Sequence, residues 1–376
     1  TCRTWETNRL VRIMSKNLGI SRERIGFAGT KDKRAVTTQL MSFECPITSM
    51  ERIALDDVVI KDAYTAKRGI QIGDLVGNSF VIRVKECDAP ASDIPGILGS
   101  VSSSVKDAGG FPNYFGVQRF GVVRPVTHKV GELIVRGDLE GAVRCYISDP
   151  ALFEDDDAAA VRSSLSKESD WSPLVGKMPQ SLSFEKIMVE HIISSPGDWK
   201  GAIEKLPRNL QMMFVHAYQS YLFNRMLSER MRRGLPLNRP IMGDTIIPLD
   251  ANRVPQHENP VTTTPNNIDL VTRQVRSGRA FVTISLFGSE SRFGEGEMGE
   301  IERSVIEEEN ISQKDFVIPE LPQCSSKGSR REILCPVADL SYLTADDGYE
   351  VSFSLPKGNY ATCLLREYMK SEMEKY

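Results

Sequence analysis

The sequence predicts an α+β protein with two domains, and three observations carry that expectation. The chain has 376 residues, 40% of them apolar, which is enough to bury two cores. Segments of helical periodicity alternate with segments whose apolar residues fall on every second position. Past about Asp138 the character of the chain changes, with an acidic knot at 154–157, a serine-rich stretch at 163–173 and a long helical pattern after them.

The first element is a helix from Thr7, where Leu10, Val11, Ile13, Met14 and Leu18 share a face and Gly19 stands where a helix C-terminus favours glycine. Residues 25–29 then read as a short strand delivering a loop, Thr30-Lys31-Asp32-Lys33-Arg34, and 35–43 as the next strand. Ile70 and Ile72, then Phe80, Ile82 and Val84, alternate, which predicts a pair of strands joined near Gly77-Asn78. Residues 109–121 break any regular pattern with four glycines, a proline and four aromatics. A long helix is expected over 210–233, with Leu210, Phe214, Ala217 and Tyr221 on one face and Gly234 and Pro236 closing it. Residues 238–290 read as mixed and partly stranded, 295–309 as an acidic segment, and 319–331 as a loop or linker. Near the end, 350–355 alternates as a strand, Pro356-Lys357-Gly358 turns, and Asn359 is expected to cap a helix running through Met369.

Composition bounds the function. No run approaches the roughly 18 apolar residues of a membrane helix, and the first 30 residues are charged rather than signal-like, so a soluble protein is expected. A net charge of −3 argues against coating nucleic acid through bulk charge and leaves room for a local basic groove. Seven scattered cysteines without a CxxC fit a reducing cytoplasm better than a disulfide framework. Four dispersed histidines make a zinc site an unlikely reading, and the phosphate-cradling GxxxxGK[ST] pattern does not occur. Because Thr1 is not an initiator methionine and a helix begins within a few residues, further residues upstream are expected.

The sharpest chemical feature is Asp32, flanked by Lys31, Lys33 and Arg34. Neighbouring cations favour a carboxylate's charged form, which suits a nucleophile or base rather than a proton donor. A solvated charged turn is the competing reading. The loop holding Asn113, Tyr114, Phe115, Arg119 and Phe120 pairs stacking surfaces with an amide and a guanidinium, the groups that grip an unstacked base and its phosphate. The alternative is that these rings fill core. Tyr360 and Arg366 offer a similar mixture at the last helix, where a helix N-terminus favours phosphate. Residues 1–36 carry nine Lys or Arg against three acids, a local concentration of positive charge that fits a polyanionic partner. His216, in the long helix, reads as a partly buried histidine rather than a base. Tyr218 to Asn224 could face RNA, although aromatics at helical spacing more often belong to the core.

Five blocks, IGFAGTKDKRAVTTQ (25–39), PNYFGVQRFG (112–121), HAYQSYLFN (216–224), SKGSRR (326–331) and SLPKGNYATCLLRE (354–367), resemble in this order the motifs of the TruD family of tRNA pseudouridine synthases, most of all its archaeal members. The resemblance implies isomerisation of uridine to pseudouridine in tRNA, at position 13 in the D arm, without metal or organic cofactor. It implies a pseudouridine-synthase catalytic domain of mixed, largely antiparallel sheet with helices, interrupted by an inserted α/β domain. The expected division is 1–138 for the first catalytic part, 139–330 for the insert and 331–376 for the rest of the catalytic domain. The family's catalytic aspartate falls on Asp32, its base-contacting asparagine and aromatic on Asn113 and Phe115, and a substrate-contacting phenylalanine on Tyr360, where this chain departs by a hydroxyl. A further family contact lies upstream of Thr1.

Lys31, Arg119 and Arg366 are candidates for orienting Asp32 or holding a phosphate. The expected partner is tRNA, with other RNAs open, and the expected state is a cytoplasmic monomer that binds neither metal nor membrane. Two other classes compete: an RNA-binding or RNA-chaperone protein on the same scaffold without turnover, and a nucleoside-processing hydrolase, which would release free uracil.

Overall fold

A computed structural model describes residues 1–151, 154–251 and 254–371. The chain forms two compact units, one of residues 1–79 with 356–358 and one of 80–355 with 359–376.

In the first unit the helix Thr7–Leu18 forms as its periodicity predicts. The Glu6 carboxylate accepts from the Asn8 and Arg9 amides, and Gly19 closes the helix in the left-handed region at φ 67°. Leu10, Val11 and Met14 pack with Cys2 and Ile25 into a small core. Ile25–Phe27 pairs antiparallel with Met41–Phe43, and Cys2–Arg3 with Val36–Thr37. The strand expected over 35–43 is therefore two short strands with separate partners. Ile70 and Ile72 do not form a strand. The Asp74 carboxylate accepts from the Gln71 amide and from Arg68, folding this stretch into a turn before it can pair.

The second unit holds two cores. In the first, the helix Ile94–Ala108 and the C-terminal helix Ala361–Met369 pack against a sheet ordered Ala338–Ala345, Gly348–Pro356, Gly77–Lys85. Leu98, Phe111, Val351, Phe353 and Leu364 fill the space between them. The alternation at Phe80, Ile82 and Val84 holds, with Val81, Arg83 and Lys85 exposed between them. The C-terminal helix starts one residue later than expected, with Tyr360 at its N-cap and no side-chain capping bond there.

The second core runs from Phe115 to Ile333 and is built around the helix Arg208–Arg232. This helix has no single apolar stripe, because it is covered on nearly all sides: Val215, Tyr218, Leu222, Phe223, Met226 and Leu227 are all fully buried. The helix Thr127–Val135 lies so close that a Cβ on Gly131 would sit 2.0 Å from the Phe214 carbonyl oxygen. A four-stranded antiparallel sheet, ordered Ser329–Glu332, Ala280–Leu286, Thr245–Pro248, Val261–Thr262, flanks it. The end of the segment read as linker is thus a strand, and the acidic segment is the helix Gly296–Glu308. Among the described residues no helix is long and apolar enough to cross a membrane.

Candidate active site

In the first unit, the strand Ile25–Phe27 delivers the Asp32 loop. The loop is pinned where the Lys31 amide donates to the buried Thr7 hydroxyl, 2.9 Å away. The Lys31 ammonium donates to the Asn78 side-chain carbonyl. Asp32, Lys33 and Arg34 are exposed. The loop backbone is therefore fixed at its base while the carboxylate stays open to solvent, which leaves Asp32 available to a ligand.

In the second unit, the glycine- and aromatic-rich loop is anchored at both ends. Gly110, at φ 151°, passes so close to the opposite strand that a Cβ would meet the Cys335 carbonyl oxygen at 2.1 Å. Phe111–Pro112 then pairs with Leu334–Cys335, and the Asn113 amide donates to the Ile333 carbonyl at 2.9 Å. Asn113 is 1% exposed. Its Nδ2 donates to the Glu332 carbonyl at 2.9 Å, and its Oδ1 accepts from Arg331 Nη2 at 2.6 Å.

Two residues on, the long helix takes over. Asn224 binds the Phe115 backbone at both ends, its Oδ1 accepting from the Phe115 amide at 2.9 Å and its Nδ2 donating to the Phe115 carbonyl at 3.0 Å. The Phe115 ring, 7% exposed, lies edge-on to Phe223 at 5.5 Å and tilted against Tyr360 at 6.0 Å. Arg331 covers it at 4.2 Å from Cζ to ring centroid and Arg119 at 5.4 Å. Burial pushes the Arg331 guanidinium down from its ordinary range. The Cys363 thiol donates to the Tyr114 carbonyl at 3.3 Å and Thr362 to the Gln118 side chain at 3.1 Å, tying the C-terminal helix to the same loop.

Beside Phe115 opens a cavity of about 1040 Å³. Tyr114, Phe120 and Tyr221 supply ring surface, while Arg225, Arg232, Arg233, Arg366 and Lys370 supply positive charge. Most of these cations are already paired: Arg225 with Glu308 and Glu309, Arg232 and Arg233 with Glu229, and Lys370 with Glu367. Arg366, which is exposed, has no ion-pair partner among the described residues. Ring faces beside a free guanidinium suit an unstacked base and a phosphate.

Of the residues singled out in sequence, Arg119 and Tyr360 meet at the Phe115 ring, Asn113 is joined to it through Arg331, and Arg366 lines the cavity beside it. Lys31 and Asp32 share their own loop in the first unit. The aromatics divide: Phe111, Tyr218 and Phe223 are buried away from the cavity, while Tyr114, Phe120, Tyr221 and the largely buried Phe115 line it. His216 is partly buried, and burial with the Arg119 charge lowers its pKa. Sequence reasoning gave Arg331 and Asn224 no role of their own, although they end the blocks SKGSRR and HAYQSYLFN that resemble family motifs. Arg331 belonged to a stretch read as linker, and nothing local marks Asn224 as the partner of a backbone 109 residues away.

The model of the family tRNA pseudouridine synthase D (TruD) matches residues 1–368. A protein of Methanococcoides burtonii named "Probable tRNA pseudouridine synthase D" is 41% identical over 99% of this chain and 86% of its own length. One of the same name from Pyrococcus furiosus is 36% identical over 98% and 88%. The crystal structure of a TruD protein from Methanosarcina mazei superposes with a TM-score of 0.87 at 37% identity, covering 99% of this chain and 87% of that one. The match along nearly the whole length, in sequence and in fold, places the chain in the tRNA pseudouridine synthase D (TruD) family.

Proposed function

We propose that the protein isomerises uridine to pseudouridine in tRNA, at position 13 of the D arm, with Asp32 as the catalytic residue. The observation that carries this reading is family membership over residues 1–368, which includes the block around Asp32 and the block around Phe115. Supporting it, Asp32 is a solvent-open carboxylate on a pinned loop, and Asn113, Phe115 and Tyr360 form one cluster beside a cavity with aromatic and cationic walls.

In this reading the target uridine leaves the RNA stack and its base is held by Phe115 or Tyr360, with Asn113 at its polar edge. Arg366 holds a neighbouring phosphate, and Arg119 and Lys31 serve as positioning groups. Asp32 acts at the sugar or base, by attack or by proton abstraction. The N1–C1′ bond breaks, the uracil turns, and C5 bonds to C1′; C5 gives up its hydrogen while N1 gains one, so composition and oxidation state do not change. Such a reaction needs no redox cofactor. In this reading the insert comprises residues 139–330; the core around the long helix also takes in Phe115, Val126, Val130 and Ile134, which precede that range.

The test is site mapping by carbodiimide labelling and primer extension on unmodified tRNA transcripts. Wild type is expected to produce a stop at position 13 and Asp32→Asn none. Binding should persist in the variant, because phosphate contacts supply most of the affinity. Normal turnover by Asp32→Asn would remove Asp32 from the reaction. Tight binding by wild type without any stop would favour an RNA-binding protein.

A further inference from the structure

We propose that Arg331 is a positioning residue that locks the Asn113 amide in one orientation and backs the Phe115 ring. The inference rests on the proposed reading, in which Asn113 and Phe115 hold the target base. Arg331 sits on the strand Ser329–Glu332, opposite Ile284, so its Cα is held by the sheet rather than by a loop. From there its Nη2 donates to Asn113 Oδ1 at 2.6 Å, a short charge-assisted bond, and its Nε lies 3.4 Å from the Asn113 carbonyl oxygen.

The polarity of these contacts decides which way the amide faces. A guanidinium can only donate, so the oxygen of the Asn113 amide must face Arg331. The Glu332 carbonyl can only accept, so the nitrogen must face Glu332. Flipping the amide would set N–H against N–H and oxygen against oxygen at the same time. The orientation leaves one N–H on Nδ2 uncommitted among these bonds, a donor matched to a carbonyl of uracil and mismatched to an amino group in the same place. The same guanidinium carbon lies 4.2 Å from the Phe115 ring centroid, closer than Arg119. One side chain thereby fixes both the polar and the stacking partner of the base. Burial strengthens each of these interactions, because little water competes for the charge.

Lysine cannot replace this fork: its ammonium is a single point that cannot grip the amide and cover the ring together. The experiment compares wild type, Arg331→Lys, Asn113→Ala and the double variant for KM and kcat of pseudouridine formation on a tRNA transcript, with Tm measured for each. Arg331→Lys is expected to lower kcat about tenfold or more while KM changes by less than about threefold. The double variant is expected to lose less than the product of the two single losses, since Arg331 acts in part through that amide and in part through the Phe115 ring.

A purely structural role would lower Tm and the active fraction and leave kcat per folded, active molecule unchanged. Losses that multiply in the double variant, or a raised KM with unchanged kcat, would overturn the proposal. If Arg331→Lys does not fold, Arg331→Gln, which keeps an N–H for Asn113 and loses the charge, takes its place in the same cycle. Wild type inactive on tRNA would refute the function itself; with wild type active, the cycle alone judges Arg331.

Discussion

Asn224→Asp tests the hold on Phe115 with almost no change in shape. The substitution keeps the oxygen that accepts from the Phe115 amide at 2.9 Å and replaces the donor, 3.0 Å from the Phe115 carbonyl, with a second oxygen. At neutral pH a charged oxygen then faces a carbonyl oxygen, and one hydrogen bond becomes a repulsion. The lost bond alone is worth about 1 kcal/mol, and leaving a partly buried acceptor unsatisfied raises the cost to about 2–4 kcal/mol. Protonation relieves it, because a neutral carboxyl can donate where the amide did. The new group's pKa should therefore be higher in the folded than in the unfolded state. A rise of about 2 units corresponds to about 2.7 kcal/mol, which develops as pH climbs from about 4 to 6 and is constant above. Urea unfolding of variant and wild type at pH 4.5 and 7 measures the difference, and effects common to both proteins cancel. A penalty below about 0.5 kcal/mol at pH 7, or one that is equal at the two pH values, would refute the clamp.

Two further predictions concern the scaffold. Arg230 and Asp244 are both fully buried and joined by two bonds of 2.6 and 2.9 Å, so Asp244→Ala should cost about 3–5 kcal/mol in urea unfolding by stranding the guanidinium. Arg230→Met combined with Asp244→Leu should recover most of that loss; a double variant as unstable as the single would show that the charge is not the cause. Burial pushes His128, stacked on Tyr221 at 5.1 Å, down to about 4, so the folded state refuses a proton that the unfolded state binds below about pH 6.5. Its contribution is complete above that pH and is lost as pH falls towards 4, up to about 3 kcal/mol before solvent screening of a partly exposed ring is allowed for. The pH profile of stability of His128→Phe should be flatter across that window; an unchanged slope would assign the acid sensitivity elsewhere.

How much could be read from sequence depended on whether a signal was local. The helix at Thr7 announces itself through one apolar face and a terminal glycine, and the strand at Phe80 through its alternation, because each buries one side against a neighbour. The strand Ser329–Glu332 has no such face. Ser-Arg-Arg-Glu extends because Ala280–Leu286 supplies its hydrogen bonds and Arg330 reaches the buried Glu302 at 2.9 Å. The turn at Gln71 defeats the alternation of Ile70 and Ile72 through a single carboxylate, Asp74. Asn359 looks like a cap, yet the helix begins beyond it.

For the candidate site the chemistry of Asn113 and Phe115 was visible, and the Phe115 cluster was not. What holds them, Arg331 and Asn224, lies 218 and 109 residues away in the chain. No local pattern encodes such a partnership.

Those long sequence separations set a timetable for synthesis. The Tyr114 carbonyl is satisfied by Cys363, 249 residues later, and at about 5–20 residues per second the ribosome takes roughly 12 to 50 s to cover that interval. Over that interval the aromatic loop gains its partners in turn: Phe223 and Asn224 first, Arg331 later and Cys363 at the end. A nascent chain has no finished pocket to offer RNA until its last helix emerges. Truncation near the C-terminus should therefore abolish the pocket while leaving most of the helical core free to fold, and chaperone demand should concentrate in the interval between the two halves of the site.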